Sequence, residues 1–134
     1  MLSIIIPTLN EEKNIGRILE LIKSSKFNDY EVIVADAGST DKTVELAKNY
    51  NCIITKGGLP AKGRNCGAKI AKGDILLFLD ADLDIRPRDF VLEAVKRFNE
   101  KKLDIASFPI YPQRSNFFIN PITLGLFYNM PQFV

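Results

Sequence analysis

Residues Gly73–Asp84, reading GDILLFLDADLD, constrain this chain more than any other stretch. Ile75–Leu79 is a continuous apolar run, introduced by a Gly-Asp turn and too short for a typical helix. Such a run reads as a strand buried on both faces, as in a parallel sheet. It ends in acid, with Asp80, Asp82 and Asp84 at alternating positions. Ligands of open α/β sheets bind in the crevice outside the carboxyl ends of the strands. A buried strand that delivers carboxylates to its own carboxyl end therefore marks a candidate site.

The rest of the chain supplies the sheet. Leu2–Ile6 is β-branched and apolar, closed by Pro7, and reads as the first strand. Asn10 is expected to cap a helix whose first turn carries Glu11 and Glu12. Its apolar stripe, Ile15, Ile18, Leu19 and Ile22, runs to about Ser24. Tyr30–Asp36 is a second buried-type strand, again ending in an acid. Ala37–Asp41 reads as a turn and cap, followed by a short helix over Thr43–Tyr50 with Val44, Ala47 and Tyr50 inward. Cys52–Thr55 is a third strand, Lys56–Lys62 a loop, and Gly63–Ala71 a helix whose small residues permit close packing. After the acidic strand, Arg86-Pro87 opens a helix with Phe90, Ala94, Val95 and Phe98 toward the core, and Ile105–Pro109 is a fifth strand. Strands alternating with helices at this spacing mean βαβ units, hence an α/β fold with a mostly parallel sheet flanked by helices.

Composition removes several function classes. The 134 residues are one domain by size. There is no histidine, so zinc chemistry and histidine acid–base catalysis are out. Cys52 and Cys66 offer neither a disulfide framework nor a metal-ligand spacing, and read as small buried hydrophobes. A net charge of +2 implies no nucleic-acid partner. Leu2–Pro7 lacks a basic flank, so no signal peptide is expected and the chain reads as cytoplasmic. The tail differs in kind: after Asp104 there is no acid, and Arg114 is the one cation. Residues 115–134 gather Phe117, Phe118, Phe127 and Phe133 with Ile119, Ile122, Leu124, Leu126 and Met130, interrupted by Pro121. That is short of the roughly 20 apolar residues of a spanning helix. Core packing, a peripheral membrane contact and an oligomer contact are the readings it leaves open.

Four segments should converge on one sheet edge. Asp80 and Asp82 are hard oxygen ligands, and Mg²⁺ or Mn²⁺ is typically held by one or two carboxylates plus substrate phosphates. Asp36 ends another strand, and Pro7–Glu11 follows the first. Lys62 and Arg64 lie at the start of the helix that leads into the acidic strand, where cations and a helix N-terminus both favour phosphate. This chemistry suits a nucleoside diphosphate with a divalent cation.

In order and spacing, Pro7-Thr8-Leu9-Asn10-Glu11, Asp36-Ala37-Gly38-Ser39-Thr40-Asp41, Gly63-Arg64-Asn65-Cys66-Gly67 and Leu79-Asp80-Ala81-Asp82 resemble the motifs of family-two glycosyltransferases with the GT-A fold. The resemblance covers about residues 1–110, leaving 111–134 as an apolar tail or shortened acceptor region. It implies a glycosyltransferase that binds a UDP- or GDP-sugar and passes the sugar to an acceptor such as a polyprenyl phosphate or another glycan precursor. By the same resemblance, Pro7, Thr8, Asn10, Glu11 and Asp36 hold base and ribose, Asp36 accepts the imide N–H of the base, and Gly38 counts among the nucleotide-sugar-binding residues. Arg64 lies near the base or diphosphate by this resemblance, and Lys62 joins the nucleotide-sugar-binding residues from its place beside that helix start. Asp80 sits by the ribose, Ala81 separates the pair, and Asp82, with Asp80, is the metal site.

Two departures stand out. Ala37 replaces a second acid that many members carry, and no acid after Asp104 offers the base that inverting members use. No catalytic residue is assigned on this basis. The alternative is a non-catalytic or incomplete nucleotide-sugar-binding domain without its acceptor half. A nucleotidyltransferase would want a Gly-rich loop after the first strand, and a receiver domain a lysine after the fifth; neither is present. Asp41 reads as a cap, and Asp84 stays open between turn acid and ligand.

Overall fold

A computed structural model describes residues 1–86 and 88–107. The strands are β1 (Leu2–Thr8), β2 (Tyr30–Asp36), β3 (Ile53–Lys56) and β4 (Ile75–Phe78). The helices are α1 (Ile15–Lys23), α2 (Thr43–Asn49), α3 (Pro60–Ile70) and α4 (Phe90–Glu100). All described strand pairs are parallel, in the order β3-β2-β1-β4. Met1–Leu92 is one compact unit and contains all four described strands; a second unit begins at Glu93. Within it, Arg97 pairs with Glu93 one turn earlier at 3.7 Å.

The strand buried on both faces is β1. Leu2, Ile4, Ile5 and Ile6 are each at most 1% exposed. The α1 stripe is buried as its spacing predicts, through Ile15, Ile18, Leu19 and Ile22. The acidic strand differs from expectation. Among the described residues β4 pairs only with β1, at the edge, and its Leu76 and Phe78 remain 40% and 42% exposed. Apolar sequence records what a strand can bury, and the sheet order decides which face is covered.

Several boundaries move for local reasons. β1 runs through Pro7 to Thr8. Leu2 N–H donates to Asp29 O and Thr8 O accepts from Ala37 N–H, so the even-numbered residues of β1 bond β2. Pro7 therefore turns its missing N–H to the β4 side, beyond the last register pair, Ile5 with Phe78. α1 begins at Ile15, because Asn10 has a left-handed backbone (φ 54°) and caps nothing. α3 begins three residues early, since Pro60 supplies the preset φ of a first helical turn. Lys62 is thus helical. Tyr50 falls just after α2 and donates its hydroxyl to Glu20, with Lys23 over its ring. Of the expected fifth strand, Ile105–Ser107 is not extended into a sheet; Phe108, Pro109, Arg114 and the apolar tail lie outside the described residues, as does Pro87. α4 starts at Phe90 and buries Val91 and Val95, while Phe90, Ala94 and Phe98 are half-buried.

α3 carries the chain from β3 across β2 and β1 to β4, and its glycines set how closely it can do so. A Cβ on Gly67 would overlap Ile5 Cγ2, and one on Gly63 would come within 3.1 Å of Pro7 Cβ. We expect Gly67→Ala to lower stability by about 1–3 kcal/mol, the usual cost of overpacking a tight contact. Gly16→Ala in α1, where an added methyl meets nothing within 4 Å, should be neutral or stabilising. Urea unfolding of both variants checks the contrast.

Candidate functional site

β2 and β3 lie on one side of β1 and β4 on the other, so the strand order reverses between β1 and β4. The crevice at the carboxyl ends of those strands is the switch point of the sheet. The loops after β1, β2 and β4, and the first turns of α3, border it.

The loops after β1 and β2 hold each other. Asn10 N–H donates to Ser39 Oγ (2.8 Å), and Thr40 N–H returns a bond to Asn10 Oδ1 (2.9 Å). Glu11 N–H donates to Thr43 Oγ1 (2.8 Å) and Glu12 N–H to Asp41 Oδ2 (3.1 Å). Lys42 N–H donates back to Glu12 Oε2 (3.1 Å). Each loop thereby satisfies backbone donors that the other's irregular path leaves open. Two left-handed residues permit the crossing, Asn10 and Gly38 (φ 102°). Glu11 turns its own carboxylate to Asn14 Nδ2 (2.8 Å).

Asp36 anchors this frame. Its Oδ1 accepts the hydroxyls of Thr8 (3.1 Å) and Ser39 (2.5 Å), and its Oδ2 accepts the amides of Gly38 (2.9 Å) and Ser39 (2.8 Å). Burial by itself pushes this carboxyl up, but the Ser39 hydroxyl and amide, the Gly38 amide and the Thr8 hydroxyl together hold it below its ordinary value of 3.8. Asp41 behaves alike: burial raises it, and bonds from the Thr43 hydroxyl, the Thr43 amide and the Glu12 amide carry it lower. Four donors occupy the acceptor positions of Asp36. A ligand N–H reaches this carboxylate by displacing one, and the two hydroxyls can rotate aside whereas the amides cannot.

Across the crevice, Asp80–Leu83 forms a tight turn closed by Leu83 N–H on Asp80 O (3.3 Å). Ala81 is buried at 2% exposure and Asp82 projects into solvent, which explains a small residue between two acids. Arg64 of α3 reaches Asp80 Oδ1 at 2.5 Å, with both side chains over a third exposed. An exposed pair of this kind contributes about 0–1 kcal/mol and exchanges readily for another partner. Lys62 is exposed, its stem lies over Gly58, and it has no ion partner among the described residues. Asp82 likewise has no side-chain partner among the described residues.

Among the described residues no three acids, cysteines or histidines cluster as a metal site. The expected donor set is Asp80 and Asp82, two hard carboxylates at one turn. That fits Mg²⁺ or Mn²⁺ completed by phosphate oxygens, and does not fit a cage that holds a metal by itself. Asp84 is engaged elsewhere, by Arg17 (3.9 Å) and Arg86 (3.6 Å), and reads as a turn acid. Burial pushes the Cys52 thiol up to about 11, so it has no nucleophilic role. The structure thus brings Pro7, Thr8, Asn10, Glu11, Asp36 and Gly38 to one side of the crevice, and Arg64, Asp80, Ala81 and Asp82 to the other. Sequence reasoning missed Ser39, Thr43 and Arg17, whose roles are contacts between segments and leave no local pattern.

A family model described as Glycosyl transferase family 2 matches residues 3–133. The poly(ribitol-phosphate) beta-N-acetylglucosaminyltransferase TarS of Staphylococcus aureus is 32% identical over 113 residues, covering 77% of this chain. The chain spans only 20% of that relative's length. The crystal structure of TarS 1–349 in complex with UDP-GlcNAc resembles it with a TM-score of 0.70 at 28% identity, covering 85% of this chain and 36% of that one. The mannosyltransferase PcManGT from Pyrobaculum calidifontis, in complex with GDP-Man and Mn²⁺, gives 0.69 at 25% identity, covering 84% and 36%.

The lowered carboxyls make a pH prediction. Asp36 and Asp41 bind protons less readily folded than unfolded, so their stabilisation is complete above the ordinary value of 3.8 and is lost as pH falls through the lower folded values. Denaturant unfolding between about pH 5 and about pH 2 should show stability falling with acid. Asp36→Asn should be less stable at neutral pH and show a shallower acid limb.

Proposed function

The chain belongs to glycosyl transferase family 2, and on that premise we propose that it is the donor-binding part of a glycosyltransferase, holding a nucleotide-diphospho-sugar and a divalent cation at the crevice between β1, β2 and β4. One observation carries this reading. The interlocked loops around Asp36 and the Asp80–Leu83 turn with its Arg64 face one sheet edge, at the point where strand order reverses.

The division of labour follows from the chemistry of each side. Asp36 accepts an N–H of the base once a Thr8 or Ser39 hydroxyl turns away, and the amides that remain keep it ionised. Pro7, Thr8, Asn10, Glu11 and Gly38 form the wall against which base and ribose lie. Lys62 and Arg64 offer positive charge to the diphosphate, Arg64 by leaving Asp80. That exchange frees Asp80, which with Asp82 can hold a cation shared with phosphate oxygens. When bound, Mg²⁺ or Mn²⁺ offsets the charge that develops on the departing nucleoside diphosphate. Complexes of similar proteins with UDP-GlcNAc and with GDP-Man and Mn²⁺ support a UDP- or GDP-sugar donor.

The acceptor is the less defined partner. No acid follows Asp104 in this chain, so a general base is not supplied there. An acceptor oxygen that is already anionic, such as that of a polyprenyl phosphate, needs no base; a neutral hydroxyl needs one from outside residues 105–134. No helix among the described residues is long and apolar enough to cross a membrane. We assign the donor site to residues 1–110, and give the apolar stretch 115–134 to acceptor or membrane contact. A domain that binds donor without turnover is the second reading, favoured by the lack of any Asp or Glu in residues 105–134.

Calorimetric titration of UDP and GDP, with and without Mn²⁺, tests the proposal. One nucleotide should bind, and bind more tightly with metal, while Mn²⁺ alone binds weakly. Asp82→Ala should reduce the metal-supported affinity by about tenfold or more, equivalent to about 1.4 kcal/mol. Equal metal-supported binding by the variant would remove Asp82 from the site. Release of UDP or GDP from a sugar donor by the wild-type chain separates enzyme from binding domain.

A further inference from the structure

Asp82 has no side-chain partner of its own among the described residues, so its placement is inherited from the backbone that carries it. That backbone is gripped from outside the turn by Arg17, 65 residues away in the first turn of α1. Arg17 Nη2 donates to the carbonyl oxygens of Asp82 (3.3 Å) and Leu83 (3.2 Å). Its Nη1 lies 3.9 Å from Asp84 Oδ1, and Arg86 Nε lies 3.6 Å from Asp84 Oδ2. One side chain therefore meets three consecutive residues.

We propose that Arg17 is a positioning residue that holds the Asp80–Leu83 turn and so fixes the backbone from which the exposed Asp82 carboxylate projects; its bearing on nucleotide binding rests on the donor-site reading above. The turn is fastened at both ends. Arg64 holds its first residue by the Asp80 carboxylate, and Arg17 holds its last two by their carbonyls. The two grips differ in kind. Arg64 binds a side chain that exchanges partners, whereas Arg17 binds backbone and leaves the Asp82 carboxylate free to act. A guanidinium suits this task because its planar fork offers several donors in fixed directions, while an ammonium offers a point charge on a flexible stem. Asp84 completes the fork. Lying between Arg17 and Arg86, it orients the guanidinium and is itself kept out of the metal site. α1 is rigidly packed through its Ile15, Ile18, Leu19 and Ile22 stripe, so Arg17 transmits the position of the core to the turn.

Arg17→Met and Arg17→Lys in the full chain test this by two measurements. Amide hydrogen exchange reads the turn without any ligand. Arg17→Met should speed exchange at Leu83 and Asp84 by about tenfold, as local opening loses about one charge-assisted bond, with Ile22 in α1 unchanged. Titration with Mn²⁺ in the presence of UDP or GDP should then show a midpoint raised by about fivefold to tenfold, with metal-free nucleotide affinity unaltered. Arg17→Lys should recover part of both effects. Exchange at Leu83 equal to wild type, or a rise spread evenly through α1, overturns the proposal. A looser turn in Arg17→Met beside a wild-type chain that shows no metal-dependent binding would sustain the clamp and defeat the donor reading instead.

Discussion

Two loops without regular structure must keep the ends of β1 and β2 in a fixed relation, and each does so by bonding to the other. Side chains of Asn10 and Glu12 take up backbone donors after β2, and those of Ser39, Asp41 and Thr43 take up donors after β1. A typical bond of this kind is worth about 1 kcal/mol net, but a donor left unmade at a half-buried strand end costs more. The reciprocity matters more than the sum. Neither loop is satisfied without its neighbour, so the frame around Asp36 exists only when both strands are in register. Parallel pairing of Thr8 with Asp36 provides that register.

The opposite wall of the crevice is built on a different principle. The Asp80–Leu83 turn is short; Asp82 is exposed, Asp80 and Leu83 are half-buried, and the buried methyl of Ala81 seats it. Its order comes from arginines reaching in from α1 and α3. One wall is thus saturated with bonds between its own loops and fixed, and the other is held by two arginines, one of which, Arg64, sits in an exposed ion pair that can change partners. A site for a charged, metal-associated ligand gains from that asymmetry. On the proposed donor-site reading, the wall around Asp36 is the preorganised base side, and the Asp80–Leu83 wall exchanges an internal ion pair of small net value for contacts to phosphate.

Much of this was legible in the sequence, for reasons that can be named. Four parallel strands with intervening helices follow from apolar runs at βαβ spacing, and Leu2–Ile6 and Tyr30–Asp36 lie where those runs placed them. The acids at strand ends follow from the geometry of an α/β sheet, which puts every strand's carboxyl end on one edge. Asn10 shows where such reasoning fails. An asparagine before two glutamates has the form of a helix cap, yet the competing use of its side chain by Thr40 draws it into a left-handed turn and delays α1 to Ile15. Pro7 and Pro60 fail in opposite senses: the first sits inside a strand because its missing N–H faces an unpaired side, and the second starts a helix early.

Sequence by itself determined the four described strands and which edge of the sheet receives the carboxylates, because these depend on local periodicity and residue type. Tertiary structure alone decided that β1 is the doubly buried strand, that Asp84 is neutralised by arginines, and that Arg17 and Arg64 grip one turn from two helices. Those outcomes rest on contacts between residues far apart in the chain, and a contact across tens of residues leaves no periodic trace in either partner.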